Sequence, residues 1–396
     1  MTSKIKIILK SGKEQSLKRF HPWVFSGAIK VIGGSPAEGD LVDVYSNKDE
    51  FLGTGHYAGG SIAVRILSFE PVHDIRRVLM DRIMAAFEYR KKIGLVDNVD
   101  TNTFRLVNAE GDGMPGLVID YYNGTVVIQF HSVGMSREKE IITEGLVNAL
   151  GKRLVTIIDR SESTLPGKFA PEIKAENLIQ GRGSRYEVIE NGNRFIVDLK
   201  EGQKTGFYID QRENRKLLGT LSSGRSVLNL FGYTGGFSIY AIRGGAKMVH
   251  TVDSSAPAVD IAIQNVQLNF GEKISHKAFC EDVSAFLQNT RDTYDLIVSD
   301  PPAFAKHQRA LDNALLGYKR LNARIFEIIR PGGIVFTFSC SQVVSRDNFR
   351  KSVFAAAANA NRKVKIIFQL TQPPDHPVSI YHPEGEYLKG LVLYVE

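Results

Sequence analysis

The chain has 396 residues, with 50 lysines and arginines against 43 aspartates and glutamates and a net charge of +7 at pH 7. This length exceeds what one hydrophobic core usually serves, so we expect two or three domains. The composition, 43% hydrophobic and 23% charged, is typical of a globular protein, and no apolar run approaches the roughly 18 residues of a membrane-spanning helix.

The N-terminal stretch carries lysines among its apolar residues and has no small-residue cleavage site, which predicts a strand and no signal peptide. Two cysteines, Cys280 and Cys340, are too few for a disulfide framework and indicate a reducing, cytoplasmic location. The positive net charge favours an anionic partner.

Residues 1–72 read as short strands between glycine turns, which predicts a small β-barrel with strands at 5–9, 41–45 and 63–67. Its first loop places Lys18 and Arg19 near Trp23, the single tryptophan. Basic and aromatic side chains together suit RNA, since they pair with phosphate and stack on bases. The alternative is that Trp23 belongs to the barrel core and the basic residues to its solvated rim.

Residues 73–188 predict a middle α+β domain. A helix over 75–93 ends at Gly94, a residue suited to cap it. Asp112 is a candidate ligand, but the glycines and proline around it favour a tight turn. Residues 160–190 are interpreted as a connection. The other predicted elements are strands at 104–107, 117–121, 126–130 and 155–158 and a helix at 138–150.

Residues 189–396 begin with a hairpin predicted from residue 194, and strands and helices alternate from residue 226, as in a doubly wound sheet. An apolar strand at 227–230 leads into a glycine turn at 231–236. Asp253 follows Tyr233 by 20 residues at the end of the next strand, where an acid can hold ribose hydroxyls. This pattern predicts an adenosine-containing cofactor. Asp282 is either a contact to the adenine amine or a helix N-cap.

Two further strands end in reactive sequences. The stretch from Asp300 to Phe304, Asp-Pro-Pro-Ala-Phe, gives a stiff loop with an acid and an aromatic ring, which can bind a planar base. Cys340, between two serines, ends the later strand. Its thiolate can add to C6 of a pyrimidine and so activate C5 toward a methyl donor. Cys280 is interpreted as structural.

Taken together, these motifs resemble the class I S-adenosylmethionine-dependent methyltransferases, and specifically the ribosomal RNA large subunit cytosine-C5 methyltransferases. The resemblance covers essentially the whole chain. It implies an N-terminal PUA domain, a middle α+β domain, a C-terminal Rossmann-like catalytic domain, a ribosomal RNA substrate and often a homodimer. The matching stretches are residues 202–212, 229–237, 300–304, 337–341, 376–377 and 381–385.

Carried over residue by residue, the resemblance makes Cys340 the nucleophile and Asp300 its partner near the cytosine N3 and amine. It implies RNA contacts at Pro301, Pro302, Phe304, Lys18, Arg19 and Trp23. It implies cofactor contacts at Tyr208, Asp210, Gln211, Asn229, Phe231, Gly232, Tyr233, Thr234, Gly235, Gly236, Asp253, Asp282 and Asp300. No metal ligand is implied.

The chain departs from better-known RNA cytosine methyltransferases, which carry a second cysteine after the two prolines. Ala303 to Lys306 stand there instead, so the base that removes the C5 proton is not assigned, with Lys306 and His307 as candidates. Two alternatives stay open. One is guanine-N7 methylation by a related domain, which needs no thiol. The other is an RNA-binding ribosome-assembly protein without catalysis.

Overall fold

The computed structural model describes residues 4–167, 169, 178–180, 185–198, 206–272, 274–305 and 307–396. They form two compact units. The first comprises Met1–Tyr186, Asp198–Gly206 and Pro374–Gly385, and the second comprises Glu187–Val197, Phe207–Pro373 and Glu386–Glu396. None of the helices in these ranges is long and apolar enough to cross a membrane. The domain boundaries expected after residues 72 and 188 stay predictions.

The first unit opens with a six-stranded sheet. Its strands follow in the spatial order β2-β6-β5-β4-β1-β3, with β1 and β4 parallel and the other pairs antiparallel. Alternate residues face a core that includes Ile7, Val42 and Val64. The elements are β1 (Ile5–Leu9), α1 (Gln15–Lys18), β2 (Trp23–Phe25), β3 (Ile29–Ile32), β4 (Leu41–Tyr45), β5 (Phe51–Tyr57) and β6 (Ile62–Ser68).

Strand β5 was not predicted because two glycines interrupt its apolar pattern. Both are required by the close approach of β6. A Cβ at Gly55 would lie 2.2 Å from the carbonyl oxygen of Arg65, and one at Gly53 would lie 2.9 Å from that of Ser68. A glycine in a strand therefore marks backbone contact here, not a turn.

A five-stranded sheet with the order β11-β10-β9-β8-β7 completes the first unit. The predicted helix at 75–93 is confirmed as α2, with Asp74 accepting from the backbone N–H of Arg77 at its start and Gly94 in the left-handed conformation after its end. The elements are α2 (Ile75–Lys92), β7 (Thr103–Asn108), β8 (Leu117–Tyr122), β9 (Thr125–Phe130), α3 (Val133–Arg137), α4 (Lys139–Leu150), β10 (Thr156–Asp159) and β11 (Leu178–Gln180).

Asp112 holds the first unit together internally. Its carboxylate accepts two hydrogen bonds from the guanidinium of Arg90, at 2.5 and 2.8 Å, and one from the backbone N–H of Asn108. Arg90 is fully buried. The ion pair with Arg90 compensates the charge of Asp112 without any ligand. This supports the interpretation of Asp112 as a structural residue of the turn.

The stretch 160–190 is not a plain connection, because it contains β11 and also β12 (Arg185–Glu190). Strand β12 pairs with β13 (Asn193–Asp198), so the hairpin begins before residue 194, where it was expected. Its turn is Asn191-Gly192, and both residues have positive φ, 47° and 74°. Asn-Gly is a strong signal for a two-residue hairpin turn, and the sequence reading overlooked it.

The second unit is built on a seven-stranded sheet with the order β16-β15-β14-β17-β18-β20-β19. The first five of these strands are parallel, and β20 runs antiparallel to both of its neighbours. Chain order reverses beside β14, and open sheets bind ligands at such a switch point. The doubly wound, Rossmann-like sheet is thus confirmed.

Strands and helices alternate through this unit as the sequence predicts. The elements are α5 (Arg212–Thr220), β14 (Ser226–Leu230), α6 (Gly236–Arg243), β15 (Met248–Asp253), α7 (Ala256–Phe270), β16 (His276–Cys280), α8 (Val283–Asn289), β17 (Tyr294–Ser299), α9 (Leu311–Ile328), β18 (Ile329–Ser339), α10 (Arg346–Asn359), β19 (Val364–Leu370) and β20 (Lys389–Val395).

A buried ion pair connects the β12–β13 hairpin to helix α5. The guanidinium of Arg215 on α5 donates to both carboxylate oxygens of Glu190, at 2.8 and 2.7 Å, and both side chains are almost fully buried. The hydroxyl of Tyr240 donates to the same carboxylate at 3.0 Å. Removing one partner of such a pair leaves an uncompensated charge in the core.

We expect Glu190→Ala to lower the free energy of unfolding by about 3–5 kcal/mol, because Arg215 would stay buried without its counter-ion. Urea denaturation of the two proteins measures the difference. Arg194→Ala is the matched control, since Arg194 pairs with Glu187 in the same hairpin while nearly half exposed, and we expect no measurable change. Equal losses in the two variants would contradict the assignment.

Candidate active site

The turn after β14 holds two non-glycine residues in a strained backbone conformation. Phe231 and Tyr233 have φ of 57° and 45°, in the left-handed region that side chains with a Cβ rarely adopt, and Gly235 has φ of 81°. The turn closes with a bond from the N–H of Gly235 to the carbonyl of Gly232, 2.8 Å. Strain of this kind concentrates at binding and catalytic sites.

Asp253, at the end of β15, fixes that turn. One carboxylate oxygen accepts from the backbone N–H of Tyr233 at 2.9 Å, and the other accepts from the N–H of Ser255 at 2.9 Å. The acid therefore joins the ends of two neighbouring parallel strands. Its half-exposed side chain stands at the carboxyl edge of the sheet, as the sequence predicts.

Other predicted cofactor residues in and beside the turn are buried or tightly packed and stabilise it. Asn229 is buried and donates to the hydroxyl of Ser238 at 2.9 Å. Thr234 is buried and its carbonyl accepts from Asn265 at 2.9 Å. A Cβ at Gly232 would lie 2.4 Å from the methyl group of Thr251, so only glycine fits there. Gly236 begins α6.

Asp300 follows β17 and faces residues from the segment before α5. Its Oδ2 accepts from the side-chain amide of Gln211 at 3.0 Å, and the oxygen of that amide accepts from Asn214 at 2.6 Å. Asp210 is also buried and accepts from the hydroxyl of Tyr387 at 2.7 Å. Two carboxylates thus lie at one edge of the sheet, each held by a neutral donor.

Tyr208 connects the turn with the two carboxylates. Its ring meets that of Tyr233 edge-on, with centroids 5.1 Å apart. Burial raises the pKa of the Tyr208 hydroxyl well above its usual range, and negative charge on the neighbouring Tyr233, Asp300, Asp210 and Cys340 raises it further. These predicted residues from four separate stretches are therefore brought together.

Cys340 is oriented by the two serines that flank it. The hydroxyl of Ser339 donates to the phenol oxygen of Tyr318 at 3.0 Å, and the hydroxyl of Ser341 lies 3.1 Å from the same oxygen. These contacts fix the chain on both sides of Cys340. Its half-buried sulfur lies 3.8 Å from the carbonyl oxygen of Pro301 in the Asp-Pro-Pro loop. Cys340 therefore faces the Asp-Pro-Pro loop, as the sequence predicts.

Two predicted contacts have structural roles of their own, and a third is exposed. Asp282 is exposed and caps α8, accepting from the N–H groups of Ser284 and Ala285. The ring of Phe304 packs against Tyr318, with centroids 4.6 Å apart. Pro302 is exposed beside the buried Pro301. The predicted stretch 202–205 and the candidate base Lys306 lie outside the described residues.

The predicted RNA contacts of the N-terminal sheet lie in the first unit. Lys18 and Arg19 are exposed, and Lys18 pairs with Glu50 at 2.7 Å. Trp23 is half-buried, and its indole N–H donates to Glu110 at 2.9 Å. The two basic residues are exposed to solvent. The tryptophan is half-buried and hydrogen-bonded within the first unit.

The sequence reading missed Lys389, Tyr318 and Tyr387, which all contact the site. Lys389 is buried and donates to the carbonyl of Ser341 at 2.7 Å. One signal was available: a lysine inside the otherwise apolar run Leu388–Val395 is costly to bury and so suggests a function. No pattern in the sequence distinguishes the other two from ordinary core tyrosines.

Comparisons with known proteins agree with this geometry. A model of S-adenosylmethionine-dependent methyltransferases matches residues 115–389, and a model of PUA-like domains matches residues 7–69. A solved structure of a methyltransferase complexed with S-adenosylhomocysteine has a TM-score of 0.84 at 23% identity, covering 98% of this chain and 100% of that one. A structure assigned as a SAM-dependent methyltransferase from Streptococcus mutans has a TM-score of 0.83, with the same identity and coverage.

Curated relatives match along the full length. A protein named Ribosomal RNA large subunit methyltransferase I from Aeromonas salmonicida is 39% identical over 395 residues, 98% of each chain. One of the same name from Shewanella denitrificans is 40% identical over 401 residues, 99% of each chain. The chain therefore belongs to the ribosomal RNA large subunit methyltransferase I family, with a PUA-like N-terminal domain and a methyltransferase domain that uses S-adenosylmethionine.

Proposed function

We propose that the chain forms 5-methylcytosine in large-subunit ribosomal RNA through a covalent adduct between Cys340 and C6 of the base. The observation that carries this proposal is the position of the sulfur, 3.8 Å from the carbonyl of Pro301 and at the same sheet edge as Asp300. The names of the full-length relatives support large-subunit ribosomal RNA as the substrate.

The chemistry requires a nucleophile because C5 of cytosine is a poor methyl acceptor. Addition of the Cys340 sulfur to C6 pushes the ring electrons toward C5 and makes that carbon nucleophilic. Asp300 would hold the N3 and amine edge of the base, where charge develops during addition. After methylation, loss of the C5 proton expels the thiolate and restores the aromatic ring.

The residues around the turn fit the cofactor. Asp253 offers carboxylate oxygens suited to ribose hydroxyls, and the backbone of the glycine turn from Phe231 to Gly236 would contact the amino-acid portion of the cofactor. The carboxylates of Asp210 and Asp300 suit a positively charged sulfur. When bound, S-adenosylmethionine supplies an electrophilic methyl group. Tyr208, Gln211 and Asp282 would complete the contacts.

RNA binding would use both units. Lys18, Arg19 and Trp23 would contact the phosphate backbone and bases from the PUA-like domain, and Pro301, Pro302 and Phe304 would contact the target base. The homodimer and the cytoplasmic location expected from sequence stay predictions.

We expect Asp253→Ala to weaken S-adenosylmethionine binding about 10- to 100-fold, because hydrogen bonds to a charged group contribute about 1.5–3 kcal/mol. Titration calorimetry of the full chain measures the dissociation constant. Asp260→Ala, an exposed position on α7, is the matched control and should bind as the unmodified protein does. Unchanged affinity in Asp253→Ala would remove that residue from the cofactor site.

We expect Cys340→Ala to lose at least about a thousandfold in methylation rate, because the adduct cannot form without the sulfur. Ribosomal RNA is incubated with labelled S-adenosylmethionine, and the products are analysed as nucleosides. Label in 5-methylcytidine that disappears in Cys340→Ala supports the proposal, and Cys280→Ala, which removes the exposed cysteine, should keep full activity.

Two outcomes would overturn the proposed reaction. Label in a methylguanosine that persists in Cys340→Ala would favour guanine-N7 methylation, because N7 is nucleophilic without a thiol. Absence of label with any ribosomal RNA or particle, despite cofactor binding, would favour an RNA-binding assembly protein.

A further inference from the structure

Lys389 is a buried charge in an unusual setting. It begins β20, where it pairs in register with Ser339 of β18, and only 3% of the residue is exposed. Its amine donates to the carbonyl oxygen of Ser341 at 2.7 Å. This bond and the pairing with Ser339 hold the amine beside the two residues that flank Cys340.

In the described part of the chain, this amine forms no ion pair with a carboxylate, and the bond to Ser341 is its one hydrogen bond. An ammonium group has three donors and no acceptor, so two N–H groups remain for other partners. A buried charge of this kind is costly unless an opposite charge compensates it. The residue next to the Ser341 carbonyl is Cys340, whose thiol has a negative form and acts electrostatically on the amine.

We propose that Lys389 is the charge partner of Cys340 and holds its sulfur as a thiolate before RNA binds. The proton of the Cys340 thiol passes to solvent, and the ammonium charge of Lys389 stabilises the thiolate that remains, without any change in oxidation state. The thiolate then carries the electron pair that forms the bond to C6. Lys389 is thus a positioning residue that acts through Cys340, and the inference deepens the proposed function, on which it rests.

The surrounding charges are consistent with this pairing. Burial lowers the pKa of Lys389 to about 8, the charge of Cys340 raises it, Arg346 lowers it and Glu386 raises it. Lys389 is therefore mostly protonated at pH 7, where its ammonium favours the thiolate form of its neighbour.

Two phenols also interact electrostatically with Cys340. Tyr208, in the segment before α5, and Tyr318, on α9, both have a raised pKa, for which burial is the main cause and the charge of Cys340 a further one. Both stay neutral near pH 7, so neither competes with Lys389 for the role of a positive partner. Asp300 and Asp210 lie near Tyr208 and carry the wrong sign to stabilise a thiolate.

The test measures the reactivity of the sulfur without RNA. In a Cys280→Ser background Cys340 is the only thiol, so its alkylation by iodoacetamide can be followed across pH. We expect the midpoint of the rate profile to lie at least about one pH unit below that of a free thiol, near 8.5. In Lys389→Met, which removes the charge and keeps the length, the midpoint should rise by about one unit, making alkylation at pH 7 about tenfold slower.

Three controls separate ionisation from structure. The rate plateau at high pH reports access to the sulfur and should be equal in all proteins. Lys365 on β19 is an exposed lysine paired with Glu396, and Lys365→Met should leave the midpoint unchanged. Lys389→Arg keeps a permanent positive charge and should keep the midpoint low.

A midpoint near pH 8.5 in the Cys280→Ser protein that keeps Lys389 would overturn the inference. This measurement does not require any Lys389 variant to fold. An unchanged midpoint in Lys389→Met would do the same. The proposed function fails independently, if Cys340→Ala still forms 5-methylcytidine. In that case a low thiol midpoint would still establish the pair between Lys389 and Cys340.

Discussion

The carboxylate of Asp253 fixes the geometry on which the rest of the second unit's site depends. It accepts one hydrogen bond from the turn after β14 and one from the start of the helix that follows β15. The turn contains two residues, Phe231 and Tyr233, in a conformation that costs about 1–3 kcal/mol each. The hydrogen bonds to Asp253 and the buried bonds of Asn229 and Thr234 stabilise this conformation. Because the Asp-Pro-Pro loop ends the neighbouring strand, the turn and Asp300 meet at one edge.

A second constraint comes from the buried arginine at position 215. Besides pairing with Glu190 of the hairpin, it donates to the carbonyl oxygen of Tyr208 at 2.9 Å. One guanidinium therefore attaches the hairpin to α5 and holds the backbone that carries Tyr208 into the site. The stability of the unit and the position of a candidate cofactor residue thus depend on the same side chain. Arginine suits this role because its planar group bonds in several fixed directions and stays charged when buried.

The sequence predicts the central parallel strands well because buried parallel strands read as apolar runs with reactive residues at their ends. It predicts elements poorly where a glycine allows a close backbone contact or forms a hairpin turn. Gly53 and Gly55 conceal β5, and the Asn191-Gly192 turn was passed over between the predicted connection, residues 160–190, and the predicted start of the hairpin at residue 194. Within the site, motif residues are recognisable because they are adjacent in sequence. Lys389 offers only the weak signal of a lysine in an apolar run, because its place near Cys340 arises from the pairing of a later strand with β18, and register between distant strands leaves no local pattern.

The position of β20 also has a consequence for the order in which the protein folds. This strand lies between β18 and β19 in the sheet, although it follows both in the chain. During synthesis, β14, β15 and β17 can pair as they emerge, whereas β19 has no neighbour in the described sheet until residues 389–395 are made. Until then β18 presents an open edge beside Cys340. The turn around Asp253 can therefore form earlier during synthesis than the surroundings of Cys340, which are complete only when β20 has paired with β18.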